Sequence, residues 1–176
     1  MSEPPDLTLG TDIKPLVTLD GEHSRITKQK LLRITSAKEW EALWKEHIGS
    51  PKSKKRVAGL DTVQLDFSKV MAVAIFDGSA FACTGYKVYA IKELDNQLVM
   101  QVQVKSFQTI TDSTLDHPSE AWGIVIVPHS NKEIILEQDV NTSLGYPPIW
   151  NVWKKFPAID PPQNLTPEHL DGGIGP

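Results

Sequence analysis

Cysteine is almost absent from this chain. Cys83 is the single one in 176 residues, and one thiol cannot build an internal disulfide framework. Long apolar runs are missing as well. No stretch approaches the roughly 18 apolar residues of a membrane-spanning helix. The opening MSEPPDLTLGTDIKP lacks the apolar core of a signal peptide. The chain as written is therefore expected to be soluble, unexported and without a membrane span. It also lacks a strong charge of either sign. A net charge of -4 gives no electrostatic reason to expect nucleic acid or an anionic membrane as partner.

The motifs of common chemistries are lacking too. The five histidines, at positions 23, 47, 117, 129 and 169, show no H-x-H or H-E-x-x-H spacing. Asp116-His117 comes nearest to a ligand pair, and two residues do not fill a coordination shell. Neither a metal nor a cofactor is expected. No phosphate-binding Walker loop, no G-x-S-x-G elbow and no dinucleotide fingerprint occurs. There are no internal repeats.

What remains is ordinary globular material, 40% hydrophobic and 23% charged, enough for one domain with additional ends. Residues 1–24, rich in Pro, Asp, Gly and Thr, read as a loose arm with one short strand near Leu16–Leu19. The domain is placed at 25–140. RITKQKLLRI suits a strand anchored by Ile26 and Ile34. SAKEWEALWKEHIG is the one clear helix, expected from Ala37 to His47. Ser36 and Glu39 form a capping box, and Trp40, Leu43, Trp44 and His47 share a face. Gly49 and Pro51 stop it. The basic SPKSKKRVAG, with Lys52, Lys54, Lys55 and Arg56, reads as a solvated loop.

From residue 62 the pattern turns to strands. TVQLDF leads into a turn at Asp66-Phe67-Ser68-Lys69. VMAVAIF and WGIVIVP are apolar on both faces, as covered strands are. TGYKVYAIKEL and LVMQVQVKSF flank the turn signal Asp95-Asn96 and form a hairpin. In the second of these, Leu98, Met100, Val102 and Val104 alternate with Gln101, Gln103 and Lys105, giving one dry face and one wet face. EIILEQDV reads as the last strand. Residues 141–176 form a Pro/Trp-rich tail, partly docked. Within it, Trp150, Trp153 and Phe156 stand at helical spacing behind Pro147 and Pro148. The fold expected is α+β, predominantly β: an antiparallel β-sandwich or open barrel with one N-terminal amphipathic helix.

Two connections exceed ordinary hairpin length. DGSAFACTG, residues 77–85, holds Phe81, Cys83, Thr84 and Gly85. QTITDSTLDHPSEA, residues 108–121, holds Asp112, Asp116, His117 and Glu120. Projecting from one end of the sheets, they would make a polar rim with an aromatic tip, suited to protein contact. A catalytic Cys83 would need its thiolate favoured by a helix N-terminus or a protonated histidine. Cys83 precedes a strand, so no helix dipole helps it. A small Cys-dependent hydrolase or transferase is the rival reading, and no catalytic residue is assigned.

ITSAKEWEALWKEH, VQLDFSKVMAVAIFDG, TGYKVYAI, LVMQVQV and WGIVIVP together resemble the C-terminal domain of PrcB-type protease-complex subunits, over about residues 31–138. Thr84 stands where that family commonly has glycine, and Ser106-Phe107 where members tend to have proline. The resemblance implies a β-rich bacterial module, often exported, that accompanies or stabilises a protease and carries no catalytic residues. Thr84-Gly85-Tyr86 is also similar to a loop of chagasin-type cysteine-peptidase inhibitors. Trp122 would stand for the aromatic of a second inhibitory loop, without its Arg-Pro prefix. Both resemblances imply protein binding through loops. The contact residues expected are Phe81, Cys83, Thr84, Gly85, Tyr86, His117 and Trp122.

Overall fold

A computed structural model of the chain describes residues 6–49, 64–106, 118–141, 143 and 145–160. In chain order its strands are β1 (Thr11–Asp12), β2 (Val17–Gly21), β3 (Lys30–Ile34), β4 (Val70–Phe76), β5 (Ala80–Phe81), β6 (Cys83–Glu93), β7 (Gln97–Ser106), β8 (Pro118–Ser119), β9 (Trp122–Pro128), β10 (Glu133–Asp139) and β11 (Trp150–Phe156). The helix α1 (Ala37–Ile48) lies between β3 and β4. A four-stranded sheet, ordered β2-β9-β4-β3, packs on a five-stranded sheet, ordered β1-β6-β7-β10-β11. The two form a sandwich and do not close into a barrel.

Strict alternation in β4 and β9 builds this stack. Met71, Val73, Ile75, Val125 and Val127 point between the sheets, where they meet Leu98, Met100, Ile134 and Leu136. Ala72, Ala74, Phe76, Ile124 and Ile126 point the other way, onto α1. A strand covered on both faces must be apolar throughout, which explains VMAVAIF and WGIVIVP. The two alanines leave room for the helix tryptophans. Trp40, Leu43, Trp44 and His47 are all buried, and each large apolar side chain so removed from water contributes about 1.5–3 kcal/mol.

The capping box forms. The Glu39 N–H donates to Ser36 Oγ at 3.3 Å, and the Glu39 carboxylate accepts from Thr35 N at 3.0 Å. At the other end Gly49 N–H donates to Lys45 O. The Asp66–Lys69 turn also forms, with Lys69 N–H donating to Asp66 O.

The expectations need correction in several places. Of RITKQKLLRI only Lys30–Ile34 is strand. The outer face of β7 is not wet throughout, since Val99 and Gln101 are buried. Residues 64–66 are not a strand; they lead directly into the turn. Residues 11–21 are stitched into both sheets instead of hanging loose: β1 pairs with β6, and β2 with β9. The backbone groups at those edges gain ladder partners, which composition does not reveal. β10 pairs with β7 in parallel, because β9 takes the chain across to the other sheet before it returns. β10 is not the last strand either. Residues 150–156 form β11, antiparallel to β10, and not a helix. The register slips at Trp153, which is the extra residue of a bulge. Trp153 and Phe156 therefore both face the core, a spacing of three that imitates a helix.

Candidate functional site

The two long connections meet. Ala80 pairs with Ser119 and Phe81 with Pro118, so β5 and β8 make a small ladder at one end of the sandwich. Cys83 N–H donates to Ser119 Oγ at 3.3 Å, tying the buried Ser119 to the start of β6. Asp77 N–H donates to Ala121 O, and Glu120 N–H to Glu22 O. Between β5 and β6 the backbone turns through Ala82 at φ 56°, the one non-glycine residue with positive φ among those described. Such a conformation costs of order 1 kcal/mol and persists only where its surroundings hold it. Thr84 is an extra residue in β6, since Cys83 and Gly85 face the consecutive Ser106 and Lys105. Ser79 and Pro118 are exposed on this lip.

Beneath the lip, the motif Thr84-Gly85-Tyr86 seals the two sheets together. Gly85 has φ 140°, and a Cβ there would overlap the Asp20 carboxylate from β2. That carboxylate pairs with Lys105 Nζ at 2.6 Å. Thr84 Oγ1 donates to Lys105 O at 3.1 Å. Tyr86 is 6% exposed and lies on Gly123, where a Cβ would come within 2.9 Å of its own. Burial, and then the neighbouring Asp77 carboxylate, push the Tyr86 hydroxyl's pKa far up, and its oxygen has no hydrogen-bond partner at good geometry.

The predicted contact residues therefore separate by depth. Thr84 and Cys83 are half-buried at the rim, and Gly85 is buried against β2. Tyr86 and Trp122 are core: Trp122, 4% exposed, packs edge-on against Trp44 and His47. These two aromatics hold the lip from beneath and offer no face to a partner. Phe81 is placed by its backbone pairing alone. His117, Asp112 and Asp116 lie outside the described residues, as does the basic segment Lys52–Arg56.

The chemistry at Cys83 runs against nucleophilic activation. Burial, and then the Asp77 charge, raise its thiol pKa, and the residue opens a strand, not a helix. Among the described residues no group of three His, Cys, Asp or Glu side chains could hold a metal ion. No helix among them is long and apolar enough to cross a membrane. Comparison with protein-family models, curated proteins and solved structures finds no match for this chain.

Two features escaped the sequence reading. Tyr89, the extra residue of a second bulge in β6, is 55% exposed and stacks obliquely on Trp150 with centroids 4.9 Å apart. With the exposed Val152 it forms an apolar patch on the outer face of the five-stranded sheet. Only the register could have brought Tyr89 and Trp150 together. The second is Arg33: its guanidinium donates to the carbonyls of Ser130, Lys132 and Pro157, tying β3 to both ends of the segment holding β10 and β11.

Proposed function

We propose that this chain is a non-enzymatic protein-binding module whose contact surface is the lip formed by β5, β8 and the start of β6. The observation that carries this reading is the β5–β8 ladder, which joins two long connections beside the start of β6. The positive φ of Ala82 and the bulge at Thr84 support it, since strain and bulges gather where a chain is aimed at a partner. The resemblance to PrcB-type subunits makes a protease the first partner to test, with association or stabilisation as the role. Export to the periplasm would follow from the same resemblance.

The raised Cys83 pKa supports binding over catalysis. Its reaction with iodoacetamide at neutral pH should be no faster than that of an ordinary thiol, because the thiolate is disfavoured. A fast reaction, or a turnover abolished by Cys83→Ala, would favour the hydrolase or transferase. Inhibition of a chagasin-like kind is less well supported, because Tyr86 and Trp122 are buried. Papain activity should be unchanged by a micromolar excess of this protein.

The decisive comparison is a pull-down from the source organism with the intact chain and with a Ser79→Arg, Pro118→Arg double variant. Both positions are exposed, so the variant keeps its core. A protein retained by the first and lost by the second fits the lip. Equal retention by both contradicts it.

A further inference from the structure

Among the described residues the sandwich has four outermost strands, and three are guarded against further pairing. β1 is two residues long. β2 is held against the opposite sheet through Asp20 and Lys105. β11 carries the Trp153 bulge and two exposed lysines, Lys154 and Lys155, which are common devices against edge-to-edge association. β3 is the least guarded of the four: its one lysine, Lys30, is tied back to Glu46. It pairs with β4 in unbroken register from Lys30↔Phe76 to Ile34↔Ala72, and among the described residues no strand lies on its far side. Its inward charge, Arg33, is engaged by carbonyls of the neighbouring sheet.

Beside this free edge runs a groove of about 200 Å³, walled by β3 and α1. Leu32 and Ile34 form one side, and Ala42 and Leu43 the other, with Glu39 and Glu46 at the helix rim. The volume falls below the roughly 300–1,000 Å³ of small-molecule sites and suits one or two peptide side chains. Ala42 is small and exposed, leaving the floor open. Glu39 and Glu46 lie on the same helix wall, one turn to either side of it. Lys30 Nζ meets Glu46 Oε1 at 2.5 Å, so the rim already holds one ammonium group. That pair is partly exposed, and such pairs contribute only about 0–1 kcal/mol, so an incoming lysine can compete for the carboxylate.

The geometry points to strand addition: an extended peptide pairs with β3, seats an apolar side chain over Ala42 and Leu32, and presents lysine or arginine to Glu39 and Glu46. Main-chain bonds to the edge supply affinity, and the groove and rim supply selectivity. This site is separate from the lip and does not depend on it.

The test uses the intact chain and a fluorescein-labelled peptide about eight residues long, in which valine and lysine share one face at every second position with threonine between them. Fluorescence anisotropy should show micromolar binding. Affinity should fall at least tenfold when glutamate replaces the peptide's lysines, or when alternate peptide nitrogens are methylated. Ala42→Trp, which fills the groove from an exposed helix position, should cause a similar loss, and Glu46→Gln a smaller one. Each variant's melting temperature checks that it is folded. Ser79→Arg, Pro118→Arg should bind the peptide as the parent does, so failure here and failure at the lip are distinguishable. No binding up to about 1 mM, equal binding of the glutamate or methylated peptide, or unchanged binding by Ala42→Trp would each overturn the proposal. So would a concentration-dependent dimer abolished by Ala42→Trp, which would assign the edge to a second copy.

Discussion

The two sheets of the sandwich share an inner face and differ on the outer one. The four-stranded sheet turns Ala72, Ala74, Phe76, Ile124 and Ile126 toward a helix. The five-stranded sheet turns Gln101, Gln103, Glu137 and Asp139 outward, where Gln101 Nε2 donates to Glu137 at 2.8 Å and Gln103 Nε2 to Asp139 at 2.7 Å. The first arrangement gains stability from removing apolar area from water. The second satisfies polar groups side by side on neighbouring strands and contributes little net energy. Stability should therefore reside in the helix-covered layer, leaving the edges and the lip freer to vary.

Substitution in that layer should have the largest effect. Phe76 is fully buried beneath α1 beside His47, with ring centroids 5.3 Å apart. Phe76→Ala should cost about 3–5 kcal/mol in urea unfolding. A loss below about 1 kcal/mol would mean that α1 is not a stabilising layer.

Acid should act on the same layer. His47 is buried among Trp44, Phe76 and Trp122, its Nδ1 lies 2.8 Å from Ser24 Oγ, and burial lowers its pKa from 6.5 to about 4. The unfolded chain takes up a proton near pH 6.5 and the folded chain only near pH 4. Stability from this group is thus fully present above pH 6.5 and is lost progressively as pH falls towards about 4, by at most about 3 kcal/mol. His47→Gln should flatten that part of the pH profile. An unchanged profile would show that His47 does not carry the acid sensitivity.

The seam comes next. Gly85→Ala places a Cβ on the Asp20 carboxylate at φ 140°, and should cost about 2 kcal/mol. Removing the carboxylate first, with Asp20→Ala, should shrink that cost, and a double-mutant cycle would measure the coupling. Additive losses would sever the link drawn between the two sheets at this point. The smallest effect belongs to the polar face: Gln103→Ala should cost less than about 1 kcal/mol. A loss as large as that of Phe76→Ala would erase the difference between the two outer faces.

Much of the fold was legible because burial on two faces and burial on one write different patterns. VMAVAIF and WGIVIVP had to be covered strands; LVMQVQVKSF read as a strand with one wet face, yet Val99 and Gln101 on that face are buried, and only Gln103 and Lys105 reach water. Ser36, Glu39 and Gly49 marked the helix ends through local hydrogen bonding alone. The parts that escaped depend on partners far away in the chain. Nothing within residues 11–21 tells that β1 and β2 will find β6 and β9. Trp150, Trp153 and Phe156 imitated a helix because a bulge shifts one residue out of step. At the candidate site, the two long connections stood out by length, but their pairing through Ala80–Ser119 did not. The depth of Tyr86 and Trp122 was hidden for the same reason: an aromatic beside a glycine reads alike whether the glycine is a hinge or a cushion.

The lip is most directly tested by site-specific photo-crosslinking in the source organism's own extract. A benzophenone side chain would be placed at Pro118 and, as a control, at the exposed Lys154 on the far edge strand. A discrete protein adduct is expected at position 118 and none of the same mass at 154. No adduct at 118, or the same adduct from both positions, would contradict it.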